Sequence, residues 1–305
     1  MNATLAQTDK VKNGQGFIAA LDQSGGSTPK ALKQYGVDES AYSTEAEMFA
    51  LVHAMRARII TSPAFHGDKI VGAILFEKTM DGTIEGTPTA QYLWNTLAVV
   101  PFLKIDQGLA EESEGCQKMK PIAGLEALLV RAKSAGIFGT KMRSVINSAS
   151  ESGIAAVVDQ QFEIAGIVLQ HGLFPIIEPE VSITSPDKNE CEKILKKQLL
   201  KHLETLKPDQ KIILKLTLPE EADLYLDLVR HEKVLRVVAL SGGYSLEESC
   251  KRLAQNEGVI ASFSRALTND LKASQSDQEF NTALEKIIDV IYSASVDKVT
   301  HHRAA

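Results

Sequence analysis

The sequence predicts a single (β/α)8 TIM barrel on three observations. Eight short runs of apolar and β-branched residues recur along the chain, segments of helical spacing separate them, and no Gly/Ser-rich or low-complexity linker divides them. The runs are GFIAALD at 16–22, VGAILF at 71–76, PFLKI at 101–105 and FGTKMR at 138–143. They continue with LFPIIEP at 173–179, IILKLTL at 212–218, RVVALS at 236–241 and VIASFSR at 259–265. Most are continuous rather than alternating, as strands buried on both faces of a parallel sheet are.

The intervening segments carry helix signals. Thr44-x-x-Glu47 forms a capping box ahead of Met48, Val52, Met55 and Ile59 on one face. Ile154, Val158, Phe162, Ala165 and Val168 mark a helix between the fourth and fifth strands. Ser185-Pro186 is expected to open the next, with Leu195, Leu199, Leu203 and Leu206 on its inner face. Ser245-x-x-Glu248 and Ser276-x-x-Glu279 open two more, the last carrying Phe280, Leu284, Ile287 and Ile291. The long connection from 23 to 70 is accounted for by its helical pattern. A doubly wound open sheet is the structural alternative. One domain over 1–305 is expected, with a short polar N-terminal segment (1–13) and a polar C-terminal tail (298–305).

Composition bounds the function. Of 305 residues, 39 are acidic and 33 basic, a formal net charge of −6, and 44% are hydrophobic. That balance suits a soluble globular enzyme and argues against nucleic acid or an acidic membrane surface as partner. No continuous apolar run approaches the roughly 20 residues that span a bilayer. The N-terminal MNATLAQTDKVKNGQG lacks the apolar core of a secretory signal. Cys116, Cys191 and Cys250 are odd in number and widely spaced, which reads as reduced thiols in a cytoplasmic protein.

The informative feature is where charge interrupts the apolar strands. Asp22 ends the first, Lys104 nears the end of the third, Lys141 and Arg143 end the fourth, and Glu178 and Glu180 end the fifth. Lys215 lies in the second half of the sixth and Arg265 ends the eighth. In a barrel these strand ends converge on one mouth, where the active sites of this fold lie. Buried without partners, each charge would cost several kcal/mol, so the charges should answer one another or a ligand.

Lys215 stands within Ile212-Ile213-Leu214-Lys215-Leu216. It reads as a buried ion pair, as a lysine that snorkels to the barrel mouth, or as a desolvated amine whose pKa falls from about 10.4 toward roughly 7–8, able to attack a carbonyl and form a Schiff base. Lys104 and Lys141 are the neighbours that would depress it, or else salt-bridge donors to Glu178 or Asp22. Glu178-Pro179-Glu180 sets two carboxylates on one side of an extended chain, either as proton carrier and ionised partner or as structural acids. Asp22, ahead of Gln23-Ser24-Gly25-Gly26-Ser27, fits a general base or a turn residue of the N-cap type.

Ser241-Gly242-Gly243 follows a strand and precedes the Ser245 cap, a small-residue loop whose N–H groups can cradle an anion. With Phe263-Ser264-Arg265 it forms a candidate phosphate grip at the last two strands. Ser24, Ser27 and Lys104 are candidates for a second, and two grips flanking a reactive lysine suggest a bisphosphorylated carbonyl substrate. No metal site is expected. His53, His66, His171, His202, His231, His301 and His302 are scattered with no HExxH, and the cysteines have no histidine nearby in sequence. Trp94 and Tyr92 read as packing residues.

Taken in order, GFIAALDQSGGSTPKAL, GAILFEKTM, VPFLKIDQGLA, FGTKMRS, PIIEPEV, ILKLT, LSGGYS and SFSRAL resemble the class I, Schiff-base fructose-bisphosphate aldolases in their shorter bacterial form, over nearly the whole chain. The resemblance implies reversible cleavage of fructose 1,6-bisphosphate to glycerone phosphate and glyceraldehyde 3-phosphate, in glycolysis and gluconeogenesis. It also implies a homo-oligomer, no cofactor and no metal. It makes Lys215 the Schiff-base lysine, Glu178 the proton carrier with Glu180 its neighbour, and Asp22 the group that takes the hydroxyl proton. Lys141 matches the lysine that assists imine formation and Arg143 its companion. Ser241, Gly242, Gly243, Ser264 and Arg265 match the grip on the phosphate nearer the carbonyl, and Ser24, Ser27 and Lys104 the grip on the far one. Three departures stand out. Gln23 replaces the glutamate of the animal-type enzymes, Ala31 replaces their basic residue, and VTHHRAA does not match their tyrosine-ending arm. Enamine protonation is therefore expected from Glu178 or a water. The other readings are a Schiff-base aldolase for tagatose or sedoheptulose bisphosphate, a non-catalytic barrel binding protein, and a metal-dependent aldolase on the same fold.

Overall fold

A computed structural model describes residues 3–24 and 27–299. Eight parallel strands follow one another around one sheet in chain order. They are β1 (Phe17–Leu21), β2 (Ile70–Leu75), β3 (Val100–Lys104), β4 (Gly139–Ile146), β5 (Phe174–Val181), β6 (Ile212–Thr217), β7 (Val234–Leu240) and β8 (Ile260–Ala261). The longest ladder joins β4 to β5, from Gly139↔Phe174 through Ile146↔Val181. Closure is uneven: between the β8 side and β1, the Ala20 N–H donates to the Phe263 carbonyl at 3.3 Å, in place of a ladder.

The expected eighth strand is cut short. After Ala261 the Ser262 N–H still reaches the Ala239 carbonyl, but Ser264 turns into the αR region and Arg265 begins a short helix, Arg265–Thr268, instead of ending a strand.

Eight longer helices accompany the strands: α1 (Ala3–Asn13), α2 (Ser27–Tyr35), α3 (Glu45–Ile60), α4 (Leu125–Ser134), α5 (Glu151–Gln170), α6 (Lys188–Leu203), α7 (Leu246–Ala254) and α8 (Asp277–Val296). Thr44–Glu47 and Ser276–Glu279 form reciprocal capping boxes on α3 and α8. Ser245 caps α7 by accepting from the Glu248 N–H, while the Glu248 carboxylate turns to Arg252. Ser185-Pro186 does not open α6. The Ser185 hydroxyl accepts from the Asp187 N–H at 3.3 Å, a local turn that delays the helix to Lys188. Helix α5 is long and apolar enough to cross a bilayer, yet Ile154, Val157, Val158, Phe162, Ala165 and Val168 are buried in the core shared with β5 and α6.

Strand alternation sorts the core into two shells. Phe17, Ala19 and Leu21 face the helices, whereas Ile18 and Ala20 face the barrel axis with Ile74, Phe102, Ile176, Ile213, Val238 and Ile260. Two glycines make room for the Phe102 ring. A Cβ on Gly72 would stand 2.9 Å from that ring, and one on Gly139 would stand 3.0 Å from it and 2.2 Å from the Phe174 carbonyl. Phe138 stacks on Phe174 at 4.6 Å and meets Phe102 edge-on at 5.6 Å, so the lower barrel is an aromatic floor. The polar N-terminal segment is a helix. Its Val11 joins the inner shell, and Arg236 donates to the Lys12 and Gly14 carbonyls to hold it there.

Candidate active site

The inward rows continue upward from the apolar floor, two residues at a time, into charge. Ile18 and Ala20 lead to Asp22, Phe102 to Lys104, Gly139 to Lys141 and Arg143, Ile176 to Glu178 and Glu180, and Ile213 to Lys215. The parity that buries the floor therefore aims these charges into the mouth. There they line a cavity of about 830 Å³.

Their geometry is one connected lattice. Lys215 Nζ lies 3.1 Å from Glu178 Oε1, and Lys141 Nζ lies 3.1 Å from Glu178 Oε2 and 2.6 Å from Asp22 Oδ2. Glu178 thus bridges two amines, and the cluster is almost dry, with Lys215 only 4% exposed. Beside it, Arg143 Nε donates to Glu180 Oε2 at 2.5 Å. Lys104 sits on Asp106, 2.8 Å from its carboxylate and 2.5 Å from its carbonyl.

Burial opposes the charge on Asp22, but the ammonium groups of Lys141 and Lys215 overcome it and hold the carboxyl well below the usual carboxylate range. Burial likewise opposes the charge on Lys141, and Asp22, Glu178 and Asp106 reverse it, keeping that ammonium firmly protonated. Arg143, also buried, is held charged by Glu180.

These contacts decide several open readings. Asp22 caps no helix: its carboxylate is engaged by Lys141, and α2 begins five residues later at Ser27. Lys141 is a salt-bridge donor to both Asp22 and Glu178, and Lys104 is one too, but to Asp106. Ser24, Ser241, Gly242, Ser264 and Arg265 line the same cavity, and a Cβ on Gly243 would stand 3.6 Å from Arg265 Nη2. The φ of Gly242 is +62°, a conformation that suits glycine and turns the loop toward Arg265. The Ser27 side chain and residues 300–305 lie outside what is described.

Sequence reading missed four polar residues. Asp106 lies two positions beyond Lys104 in LKIDQG, so its signal was the same strand parity. Ser262 lines the cavity from the inward row of Ile260. Gln161 on α5 accepts from the Glu178 N–H at 2.9 Å. Arg56 is fully buried among Met55, Ile59 and Ile60, and an arginine on the apolar face of α3 was its signal.

A parallel barrel whose mouth holds a buried amine, a shared carboxylate and small-residue loops beside an arginine is an enzyme of carbonyl chemistry. The sequence pattern of the class I fructose-bisphosphate aldolases matches residues 4–222. The fructose-bisphosphate aldolase class 1 of a Synechocystis strain is 57% identical over 290 residues, covering 95% of this chain and 97% of that protein. The chain belongs to the class I fructose-bisphosphate aldolase family, which are metal-independent lyases. A fructose-bisphosphate aldolase from Plasmodium falciparum, solved in complex with TRAP and a small-molecule inhibitor, shares the fold at TM-score 0.76 and 22% identity, covering 98% of this chain and 95% of that one. A Corynebacterium glutamicum protein shares it more distantly, at TM-score 0.56 and 12% identity, covering 95% of this chain and 92% of that one.

Proposed function

We propose that Lys215, Glu178, Asp22 and Lys141 carry the cleavage of fructose 1,6-bisphosphate in this chain. The observation that carries this reading is the shared carboxylate: Glu178 lies 3.1 Å from the Lys215 amine and 3.1 Å from that of Lys141. Glu178 takes a proton from the Lys215 ammonium, the neutral amine attacks the ketone carbon, a proton passes from the new nitrogen to the oxygen to give a carbinolamine, and Glu178 returns its proton to the departing hydroxyl so that water leaves. The protonated imine is the electron sink. Asp22 takes the proton of the hydroxyl on the second carbon beyond the imine carbon, the bond joining that carbon to the imine's neighbouring carbon breaks, and its electron pair flows into the imine to leave an enamine. Glyceraldehyde 3-phosphate departs; protonation and hydrolysis of the enamine free glycerone phosphate and regenerate the lysine.

Lys141 keeps Asp22 ionised until substrate hydroxyls compete for it, which raises the proton affinity of Asp22 when a proton is to be taken. Glu180 orients Arg143 at the rim. Charge counting supports a substrate with two anionic groups. Lys104, Lys141, Lys215 and Arg143 face Asp106, Asp22, Glu178 and Glu180, the fifth lining carboxylate, Glu77, pairs with Arg131, and the cavity-lining Arg265 and Lys30 make no ion pair with a described residue. Ser241, Gly242, Gly243, Ser264 and Arg265 are assigned the phosphate nearer the carbonyl, and Ser24, Ser27 and Lys104 the far one. The family supports a homo-oligomer, readable by light scattering. Three free cysteines, two of them buried, fit the expected cytoplasmic setting.

The test is borohydride reduction with glycerone phosphate in the presence of a chelator, followed by peptide mapping. Label on the peptide containing Lys215 is expected. A folded, phosphate-binding protein that takes no label would overturn the assignment.

A further inference from the structure

Among the described residues one backbone hydrogen bond crosses the seam between β8 and β1, which separates the loop carrying Asp22 and Ser24 from the loop carrying Ser264 and Arg265. Side chains span what the backbone does not. Gln23 Nε2 donates to Ser264 Oγ at 2.8 Å. Behind Gln23 stands Arg56 of α3, 0% exposed, with Nη2 on the Gln23 carbonyl and 3.5 Å from Gln23 Oε1. Its Nη1 donates to Thr79 Oγ1 at 2.7 Å, anchoring the guanidinium to the segment after β2. An arginine has only donors, so it turns the oxygen of the Gln23 amide toward itself and leaves the NH2 for Ser264. Among the described residues Arg56 has no carboxylate in ion-pair range, so its hydrogen bonds go to neutral acceptors, with the Asp22 charge acting on it only from farther off. Its burial lowers its pKa to about 10, which leaves it charged at neutrality.

We propose that Arg56, Gln23 and Ser264 form a positioning clamp across the seam, fixing the loop of Asp22 against the loop of Arg265. Gln23 and Arg56 are positioning residues: they set proton acceptor and phosphate grip at one separation without entering the reaction. The proposal rests on the assignment of Asp22 and Arg265 above.

Three quantities test it in the intact chain: calorimetric affinity for glycerone phosphate, kcat for fructose 1,6-bisphosphate cleavage, and the unfolding midpoint. Gln23→Met keeps the side-chain length and loses the bond to Ser264. It is expected to weaken glycerone phosphate binding about tenfold and lower kcat by a similar factor, with the midpoint within about 3 °C of wild type. Gln23→Glu is expected to restore most of both, because the Ser264 hydroxyl can donate to a carboxylate that Arg56 holds. Ser264→Ala added to Gln23→Met is expected to cost little more than either alone, since both break one bond. Wild-type affinity and kcat in Gln23→Met would overturn the clamp, as would independent, multiplying losses in the double variant. A drop in midpoint and activity together that Gln23→Glu does not rescue would also overturn it. Should Gln23→Met fail to fold, the comparison of Ser264→Ala with Gln23→Glu/Ser264→Ala decides in the same way. Wild-type protein that binds glycerone phosphate but forms no borohydride adduct would count against the imine reading alone, since the affinity series reads the clamp separately.

Discussion

The β4–β5 face and the β8–β1 seam present polar side chains to the same mouth, but they hold them by opposite means. On the first, eight paired positions join strands that deliver Lys141, Arg143, Glu178 and Glu180, and the groups then lock to one another. On the second, among the described residues one backbone bond joins the chain beside Ser264 and Arg265 to β1, which ends just before Asp22, and a side-chain relay bridges the rest. The difference follows the work. On the proposed roles, Glu178 and Lys141 must hold their spacing to a fraction of an ångström, which the regular ladder provides, while Asp22, just past β1, is held instead by Lys141 of β4. Groups that grip phosphates sit on loops, whose small residues let backbone approach an anion and whose looser attachment lets ligand enter.

The sharpest way to break this comparison lies on the rigid side. Lys215→Met should reduce cleavage by at least about 10⁴-fold and abolish borohydride labelling, because no other side chain can replace the covalent nucleophile. A residual rate within tenfold of wild type would show that the ladder side does not carry the chemistry. Glu178→Gln should come next, slowing cleavage about 10²–10⁴-fold with the fold retained, and trapping kinetics should show imine formation as the slowed step.

A third experiment addresses charge rather than rate. Asp22 is held well below its unfolded value near 3.9, so its ionised form adds stability that is complete above about pH 4 and is lost as pH falls below it. Lys141 has the opposite sign: its raised value contributes stability below about pH 10.4 that is lost only as pH climbs beyond that. Asp22→Asn should therefore flatten the acid limb of the unfolding-midpoint curve, and an unchanged acid limb would contradict the pairing.

On the seam side the effects should be smaller and should fall on binding. Arg265→Ala is expected to raise KM about 10- to 100-fold with a lesser change in kcat, as loss of one charge-assisted phosphate contact would. The least effect is expected at Arg230, whose exposed guanidinium pairs with the exposed Glu257, neither of them a cavity-lining residue. Arg230→Ala should change stability by less than about 1 kcal/mol and leave kcat/KM alone.

The two regions also differ in how far the sequence revealed them. Lys141, Glu178 and Lys215 were legible because a charge inside a β-branched run has few reasons to be there, and strand parity then says which way it points. Asp106 obeys the same parity two residues past Lys104, but it stands beyond the apolar run. The seam was read less well. The run at 259–265 suggested a full strand, whereas only Ile260–Ala261 pairs and Arg265 starts a helix. Ser185-Pro186 misled for a related reason, since a side-chain turn competes locally with helix and spacing alone does not weigh the two. Arg56 marked itself only as an arginine on an apolar helix face, and its role stayed hidden because its partners, Gln23 and Thr79, are neutral and far away in sequence.

The aromatic floor has a consequence for traffic. Phe102, Phe138 and Phe174, with Val11 from the N-terminal helix, close the barrel under the charged layer, so the reaction vessel empties by the door through which it fills. Departures must then queue. On the proposed imine reading, the fragment nearer the mouth is expected to leave first, its exit opening a path for the water that cuts the deeper one from Lys215. A packing arrangement at the bottom of the barrel thereby keeps time for events at the top.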